Sequence, residues 1–122
     1  MFDKTNEKTL KPKKQLEKYN DIVSSQTILY SKINPDVIEE FLANDLKKQN
    51  IELKSSDTKY KYKFTMISTS KELGEVKNEI CVRLLEASES LVSIDIKKIS
   101  GDQFKYLECY NLLKKRMESI IT

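Results

Sequence analysis

The fold is decided by the consecutive pieces ICVRLLE, ASES and LVSIDIKKI, which run from residue 80 to residue 99. The first and third pieces are rich in apolar and β-branched residues, which favour β-strands. The short polar piece between them is typical of a tight link between antiparallel strands. The stretch therefore predicts two paired strands, Ile80–Glu86 and Leu91–Ile99, on which the other elements must pack.

Three more strands are predicted upstream of this pair. Thr27–Ile33 and Ile51–Lys54 are short apolar runs, and Tyr60–Met66 alternates strictly between large apolar and polar residues. The alternation fits a core-facing strand, and it also fits an exposed platform on which nucleic-acid bases stack. Because the sheet has only one other source of large side chains for its buried face, the core interpretation is favoured for Tyr60, Tyr62 and Phe64.

Two segments have the pattern of one-sided helices. Asn34 can cap the first, Pro35 suits the first helical position, and the apolar stripe predicts a helix over residues 35–49. The second follows Ser100–Gln103, which has capping-box spacing, and is expected to run for about five turns to the end of the chain. Its stripe consists of Tyr106, Cys109, Tyr110, Leu113, Met117 and Ile120.

The resulting order is strand, helix, four strands, helix. It predicts a two-layer α+β fold, an antiparallel sheet of four to five strands with both helices packed on one face. This domain is expected to span residues 26–122. Residues 1–25 are lysine-rich and lack apolar periodicity, so we expect a disordered linker or tail there.

Composition excludes several kinds of catalytic site. The 122 residues contain no histidine, which removes Ser-His-Asp and Cys-His catalysis and every histidine-containing metal site. The two glycines are too few for a phosphate-binding glycine-rich loop. We therefore expect a chain that is not an enzyme and binds neither cofactor nor metal.

The cysteines and the apolar runs indicate a compartment. Cys81 and Cys109 lie in apolar-periodic segments without C-x-x-C spacing, which predicts small buried hydrophobes in a reducing environment; a redox switch is the less favoured alternative. No apolar run is long enough to cross a bilayer, and the first residues do not lead into a signal peptide. A soluble protein of the cytoplasm or nucleus is expected.

Basic residues are the main candidates for binding. They form a group after the acidic first half of the predicted helix and a second group around the last strand and helix, and such patches attract phosphate-bearing surfaces. A solvated, lysine-rich surface is the alternative. The candidates are Lys47, Lys48, Lys54, Lys61, Lys63, Lys97, Lys98, Lys105, Lys114, Lys115 and Arg116.

The last third of the chain resembles a known family. Leu85-Glu86, Asp95-Ile96-Lys97, Gly101-Asp102 and the aromatics Tyr106 and Tyr110 stand where the kinase-associated-1 domain, which closes many serine/threonine kinases, has its characteristic residues. The resemblance covers about residues 27–121. Compared with that family, Ser70–Glu79 is expected to form an expanded loop.

Structural roles are expected for the family-like residues. Alternation directs Asp95 away from the face of Ile94 and Ile96, toward solvent or a side chain of a neighbouring strand. Gly101 permits a sharp exit from strand to helix, and Asp102 lies where the helix dipole favours an acid. Tyr106 and Tyr110 are expected to be buried against the sheet.

The resemblance implies a regulatory function. Its members bind the catalytic domain of their own kinase and restrain it, and they also bind acidic phospholipids. We therefore expect a non-catalytic regulatory domain whose partner is the kinase catalytic domain of the same polypeptide. A module for anionic phospholipid headgroups, with peripheral membrane association, is the alternative, and a sheet-based nucleic-acid binder is third and unlikeliest.

Overall fold

A computed structural model describes residues 14, 16–18, 28–72 and 74–121. These residues form the predicted α+β fold, and the predicted order of strand, helix, four strands, helix is confirmed. The elements are β1 (Ile28–Ser31), α1 (Pro35–Lys48), β2 (Lys54–Ser55), β3 (Lys61–Ser70), β4 (Gly74–Ser88), β5 (Leu91–Ser100) and α2 (Gln103–Arg116).

The five strands form one open antiparallel sheet. Their spatial order is β1-β5-β4-β3-β2, so β3, β4 and β5 form a meander and β1 joins beside β5. The long pair β4 and β5 contains residues 80–99, the stretch that predicts two paired strands. Its two strands lie at the centre of the sheet, where both edges of their backbone are paired.

Helix α1 begins as its sequence predicts. The Asn34 side chain accepts a hydrogen bond from the backbone N–H of Asp36 at 2.8 Å, and Pro35 occupies the first helical position. Lys47 and Lys48 lie in the last turn, where the helix dipole favours positive charge. The apolar stripe Ile38, Leu42 and Leu46 is fully buried.

One hydrophobic core joins both helices to the same side of the sheet. It combines the stripes of α1 and α2 with alternate residues of β3, β4 and β5, among them Tyr62, Val82 and Ile96. We call this side of the sheet the helix face. The rings of Tyr60, Tyr62 and Phe64 are buried in it, so they belong to the core and not to an exposed stacking surface.

Hydrogen bonds from tyrosine hydroxyls join the sheet to the helices. Tyr60 donates to Asp36 at 2.7 Å and Tyr62 donates to Glu39 at 2.9 Å, which ties β3 to α1. Tyr106 of α2 donates to the carbonyl of Ile96 in β5 at 2.9 Å. Burial, followed by the bond to Glu39, raises the pKa of the Tyr62 hydroxyl well above its ordinary value, so this hydroxyl remains a donor.

Two predictions about strands are wrong. The strand expected at Ile51–Lys54 is displaced to Lys54–Ser55 and has only two residues. The expanded loop expected at Ser70–Glu79 is instead strand: β4 begins at Gly74 and pairs residue by residue with β3, from Ser70↔Gly74 to Thr65↔Glu79. The comparison with the resembled family implied a loop, but the backbone ladder to β3 extends the hairpin, and Gly74 has the positive φ of 70° that a tight turn needs.

Two predictions about the last helix also need correction. Helix α2 ends at Arg116, short of the chain end, and Met117 and Ile120 reach the core from a following turn. Tyr106 is buried as predicted, but Tyr110 is only half-buried at the margin of the core. Tyr110 lies to one side of the line formed by Tyr106, Cys109 and Leu113, so its ring covers the core instead of filling it.

The exit from β5 into α2 depends on a close approach that only glycine allows. A Cβ added at Gly101, where φ is 120°, would lie 2.5 Å from Nδ2 of Asn78 and 2.8 Å from the Lys77 carbonyl oxygen. Asn78 is fully buried and donates to the Asp102 carbonyl at 2.9 Å. Asp102 is itself the helix cap, accepting from the backbone N–H of Lys105 at 2.9 Å. The predicted role of Gly101 is confirmed, whereas Asp102 is the N-cap itself and not a residue of the first turn, so the capping box expected at Ser100–Gln103 is not formed.

The predicted tail, residues 1–25, lies outside the described residues except for residues 14 and 16–18. The Lys14 ammonium bonds to Glu39 and lies over the Tyr62 ring, 5.6 Å from its centroid. The Glu17 carbonyl accepts from the backbone N–H of Glu86 at 2.6 Å. These residues therefore contact both α1 and the end of β4.

Neighbouring leucines of α2 test the orientation of that helix. Leu113 is 1% exposed and Leu112 is 43% exposed. Leu113→Ala should lower the free energy of unfolding by about 2–5 kcal/mol, because a core cavity is left behind. Leu112→Ala should cost less than about 1 kcal/mol. Urea unfolding measures both values, and equal losses would mean that α2 is rotated away from the orientation described here.

Candidate functional site

The side of the sheet opposite the helices gathers basic side chains. In an antiparallel ladder, directly paired residues point to the same side. The register places Lys54, Lys63, Cys81 and Lys97 in one row across four strands, and Lys61, Arg83 and Asp95 in the next. We call these two rows the basic face; their cations are Lys54, Lys61, Lys63, Arg83 and Lys97.

Like charges face each other on the basic face. Lys54 is the direct partner of Lys63, and Lys61 is the direct partner of Arg83. Directly opposed like charges in a sheet are destabilising. These two pairs therefore do not by themselves stabilise the sheet.

Asp95 is the acid at the centre of the two rows. It is 3% exposed, and its Oδ2 accepts from Nη2 of Arg83 at 2.7 Å, with Nζ of Lys97 at 3.7 Å. Its Oδ1 has no hydrogen-bond partner among the described residues. Asp95 thus points to a side chain of a neighbouring strand, one of the two outcomes that alternation predicts, and it orients Arg83 and Lys97.

The cysteines are buried, as predicted. Burial raises the pKa of the Cys81 thiol, and the nearby Lys61, Arg83 and Lys63 oppose that rise. Burial also raises the pKa of the Cys109 thiol. Both thiols are free and remain protonated near neutral pH, which does not favour the alternative of a redox switch.

The structure divides the other predicted basic residues between two places. Nε of Arg116 donates to both carboxylate oxygens of Asp45, at 2.9 and 3.0 Å, and this joins the last turns of the two helices. The basic residues of those turns, Lys47, Lys48, Lys114 and Lys115, are exposed there. Lys98 and Lys105 make local contacts, with the Gly101 carbonyl at 3.3 Å and with Glu108 at 3.4 Å. These six side chains and Arg116 do not join the basic face.

Arg83 was missed by the sequence analysis, although it lies at the centre of the basic face. It was counted as part of a predicted strand and of the family-like stretch. The alternation of side chains along the strand would have identified Arg83. It lies between Val82 and Leu84, which the apolar pattern places on the helix face, so Arg83 points to the other side. Its position beside Lys61 depends on the register between β3 and β4, which alternation leaves open.

The basic face lacks a deep pocket among the described residues. The two depressions that border it hold about 140 and 150 Å³, one beside Lys61 and Arg83, the other beside Lys54 and Lys63. Small-molecule sites usually hold roughly 300–1,000 Å³. The face is therefore suited to a broad anionic surface and not to an enclosed ligand.

Comparison with known proteins finds no matching family and no curated protein of similar sequence. In the part of the chain that the structure describes, neither helix is both long and apolar enough to cross a membrane. What the site itself offers is an open, positively charged sheet surface with one buried aspartate at its centre.

Opposite effects are expected from removing two neighbouring cations. Arg83→Met would leave the Asp95 carboxylate buried with only Lys97 nearby, so the free energy of unfolding should fall by about 2 kcal/mol or more. Lys61→Met would relieve a like-charge pair and should change stability by no more than about 0.5 kcal/mol, in the stabilising direction. Urea unfolding measures both changes in the free energy of unfolding. Equal destabilisation by the two substitutions would show that Arg83 has no special role in holding Asp95.

Proposed function

We propose that this chain is a non-catalytic regulatory module that binds the serine/threonine kinase catalytic domain of its own polypeptide and restrains it. The observation that carries the proposal is the basic face, on which the strand register brings together five cations from four strands. The resemblance to the kinase-associated-1 domain suggests the partner. Such a module acts in the cytoplasm or nucleus.

The physical properties of the basic face agree with a tethered contact. A positively charged surface attracts an acidic protein surface over about one Debye length, roughly 8–10 Å at physiological ionic strength. Exposed charge pairs give little affinity each, about 0–1 kcal/mol. A flexible tether compensates because it holds the partner at an effective concentration near the millimolar range. Weak affinity between the separate parts is therefore compatible with restraint in the intact polypeptide.

Deletion and charge reversal test the restraint. Removing residues 26–122 from the polypeptide that carries this chain should raise its basal kinase activity on a peptide substrate. Lys61→Glu with Lys63→Glu should reproduce part of that rise, because both side chains are exposed on the basic face. The matched control is Lys114→Glu with Lys115→Glu, which changes the net charge equally at the end of α2.

Three results would contradict the proposal. One is a polypeptide that carries no kinase catalytic domain. Another is equal activity of the intact and truncated forms when the catalytic domain has the same phosphorylation state. The third is an equal effect of the control pair, which would assign the change to net charge and not to the basic face.

Anionic phospholipid is a second candidate ligand, favoured by the openness of the same surface. A flat patch of basic residues gains about 1 kcal/mol per residue near an anionic leaflet. The basic face has five such residues and only shallow depressions, so several headgroup phosphates can be contacted at once. This activity would add peripheral membrane association to the regulatory function.

Vesicle binding tests the lipid candidate. Vesicles rich in phosphatidylserine should retain the protein at low salt and release it as salt rises. Lys61→Glu with Lys63→Glu should lower retention at least about tenfold, since two favourable contacts are replaced by repulsion. The pair at Lys114 and Lys115 serves again as control. Retention unchanged by reversal on the basic face would exclude that face as the lipid site.

A further inference from the structure

Strand β3 has one edge that the described part of the sheet leaves largely unpaired. On one side, all ten of its residues pair with β4. On the other side, β2 pairs only with Tyr62 and Lys63. From Phe64 to Ser70, no strand among the described residues lies against this edge.

The backbone groups that point outward at this edge are identified by their neighbours. The Lys61 carbonyl accepts from the N–H of Ser56 at 3.0 Å, on the β2 side. The Tyr60 carbonyl accepts from the N–H of Leu84 at 2.9 Å, on the β4 side. Because direction alternates along a strand, Thr65, Ile67 and Thr69 direct their N–H and C=O groups toward the open edge.

This edge lacks several of the features that usually protect a sheet edge. Its sequence, FTMISTS over residues 64–70, contains no charge and no proline. The register shifts in the sheet lie between β4 and β5, so β3 pairs regularly along its whole length. Ile67 is 60% exposed at the centre of the run. A regular, uncharged edge of this kind is a template for another strand.

A groove of mixed lining, with Glu52 and Glu108 among its polar residues, runs beside the same edge. It holds about 690 Å³ between the edge of β3, the segment after α1 and helix α2. Its apolar lining comes from Ile51, Met66, Ile67, Cys109 and Leu112. Side chains of an added strand would therefore meet apolar surface as well as backbone.

We propose that the occupant is a second copy of this chain, paired antiparallel through β3 about a two-fold axis at Ile67. In that register Thr65 faces Thr69 of the other copy, and Ile67 faces its own counterpart. Threonine pairs and β-branched apolar pairs are favourable across strands. β2 confines the pairing to Phe64–Ser70, so no charged residue of β3 is brought opposite another of β3.

The self-complementarity of the run selects this occupant over an unrelated peptide. An isologous contact about a two-fold axis closes on itself and covers the open edge of both copies. The two sheets then become one continuous sheet, with both basic faces on the same side. The contact uses none of the five cations of the basic face, although Ile67 projects on the same side of the sheet, so it goes beyond the function proposed above and can be tested separately from it.

Sedimentation of the full 122-residue chain over a concentration series tests the pairing. The wild-type chain should shift from monomer to dimer. Ile67→Lys places two ammonium groups opposite each other at the axis and should weaken the dimer at least about tenfold. Ile99→Lys is the matched control, because Ile99 is also an exposed isoleucine, at 45%, near the end of β5. Its dimer should be unchanged.

A charge swap keeps the test decisive. Ile67→Glu alone should weaken the dimer as Ile67→Lys does. An equal mixture of the Ile67→Lys and Ile67→Glu chains should dimerise again, since opposite charges then meet at the axis. Circular dichroism confirms that each variant is folded. A wild-type chain that stays monomeric, a dimer that survives Ile67→Lys, or folded variants that fail to recombine would each overturn the proposal.

Discussion

The pairing register of β3, β4 and β5 is the constraint on which the rest of the structure depends. It aligns Tyr62, Val82 and Ile96 on the helix face and Lys63, Cys81 and Lys97 on the other side. A slip of one residue in β3 would send its lysines into the core and its tyrosines out. The buried hydroxyl of Tyr62, bonded to Glu39 of α1, makes such a slip costly because it joins the register to the helix.

Local features of the sequence predicted most of the fold. The cap at Asn34, the stripe of α1 and the alternation of Tyr60–Met66 each act within a few residues, so the sequence alone reveals them. The extension of the hairpin through residues 74–79 was not predicted, since a charged segment becomes strand only because β3 lies beside it. The same holds for Asn78, whose contact with the helix exit is visible only once β4 and Gly101 are brought together.

The sequence predicted only part of the candidate site, because the rest depends on which strands lie side by side. Lys54, Lys61, Lys63 and Lys97 were named from their charge, but charge alone did not separate them from the lysines at the helix ends. What separates them is the ladder, which places residues from four strands side by side and adds Arg83 to the group. Alternation predicts only the side of the sheet to which Asp95 points. The structure adds that Asp95 is the buried acid that orients two of the cations.

The most direct test of this account is a measurement of proton–proton contacts by nuclear Overhauser effects in the isotopically labelled protein. The account predicts contacts from the Tyr62 ring to the side chains of Val82 and Ile96, and from the β-protons of Cys81 to Lys63 and Lys97. Contacts from Cys81 to side chains of α1 or α2, with Tyr62 lacking its two cross-strand neighbours, would contradict the register and with it the basic face.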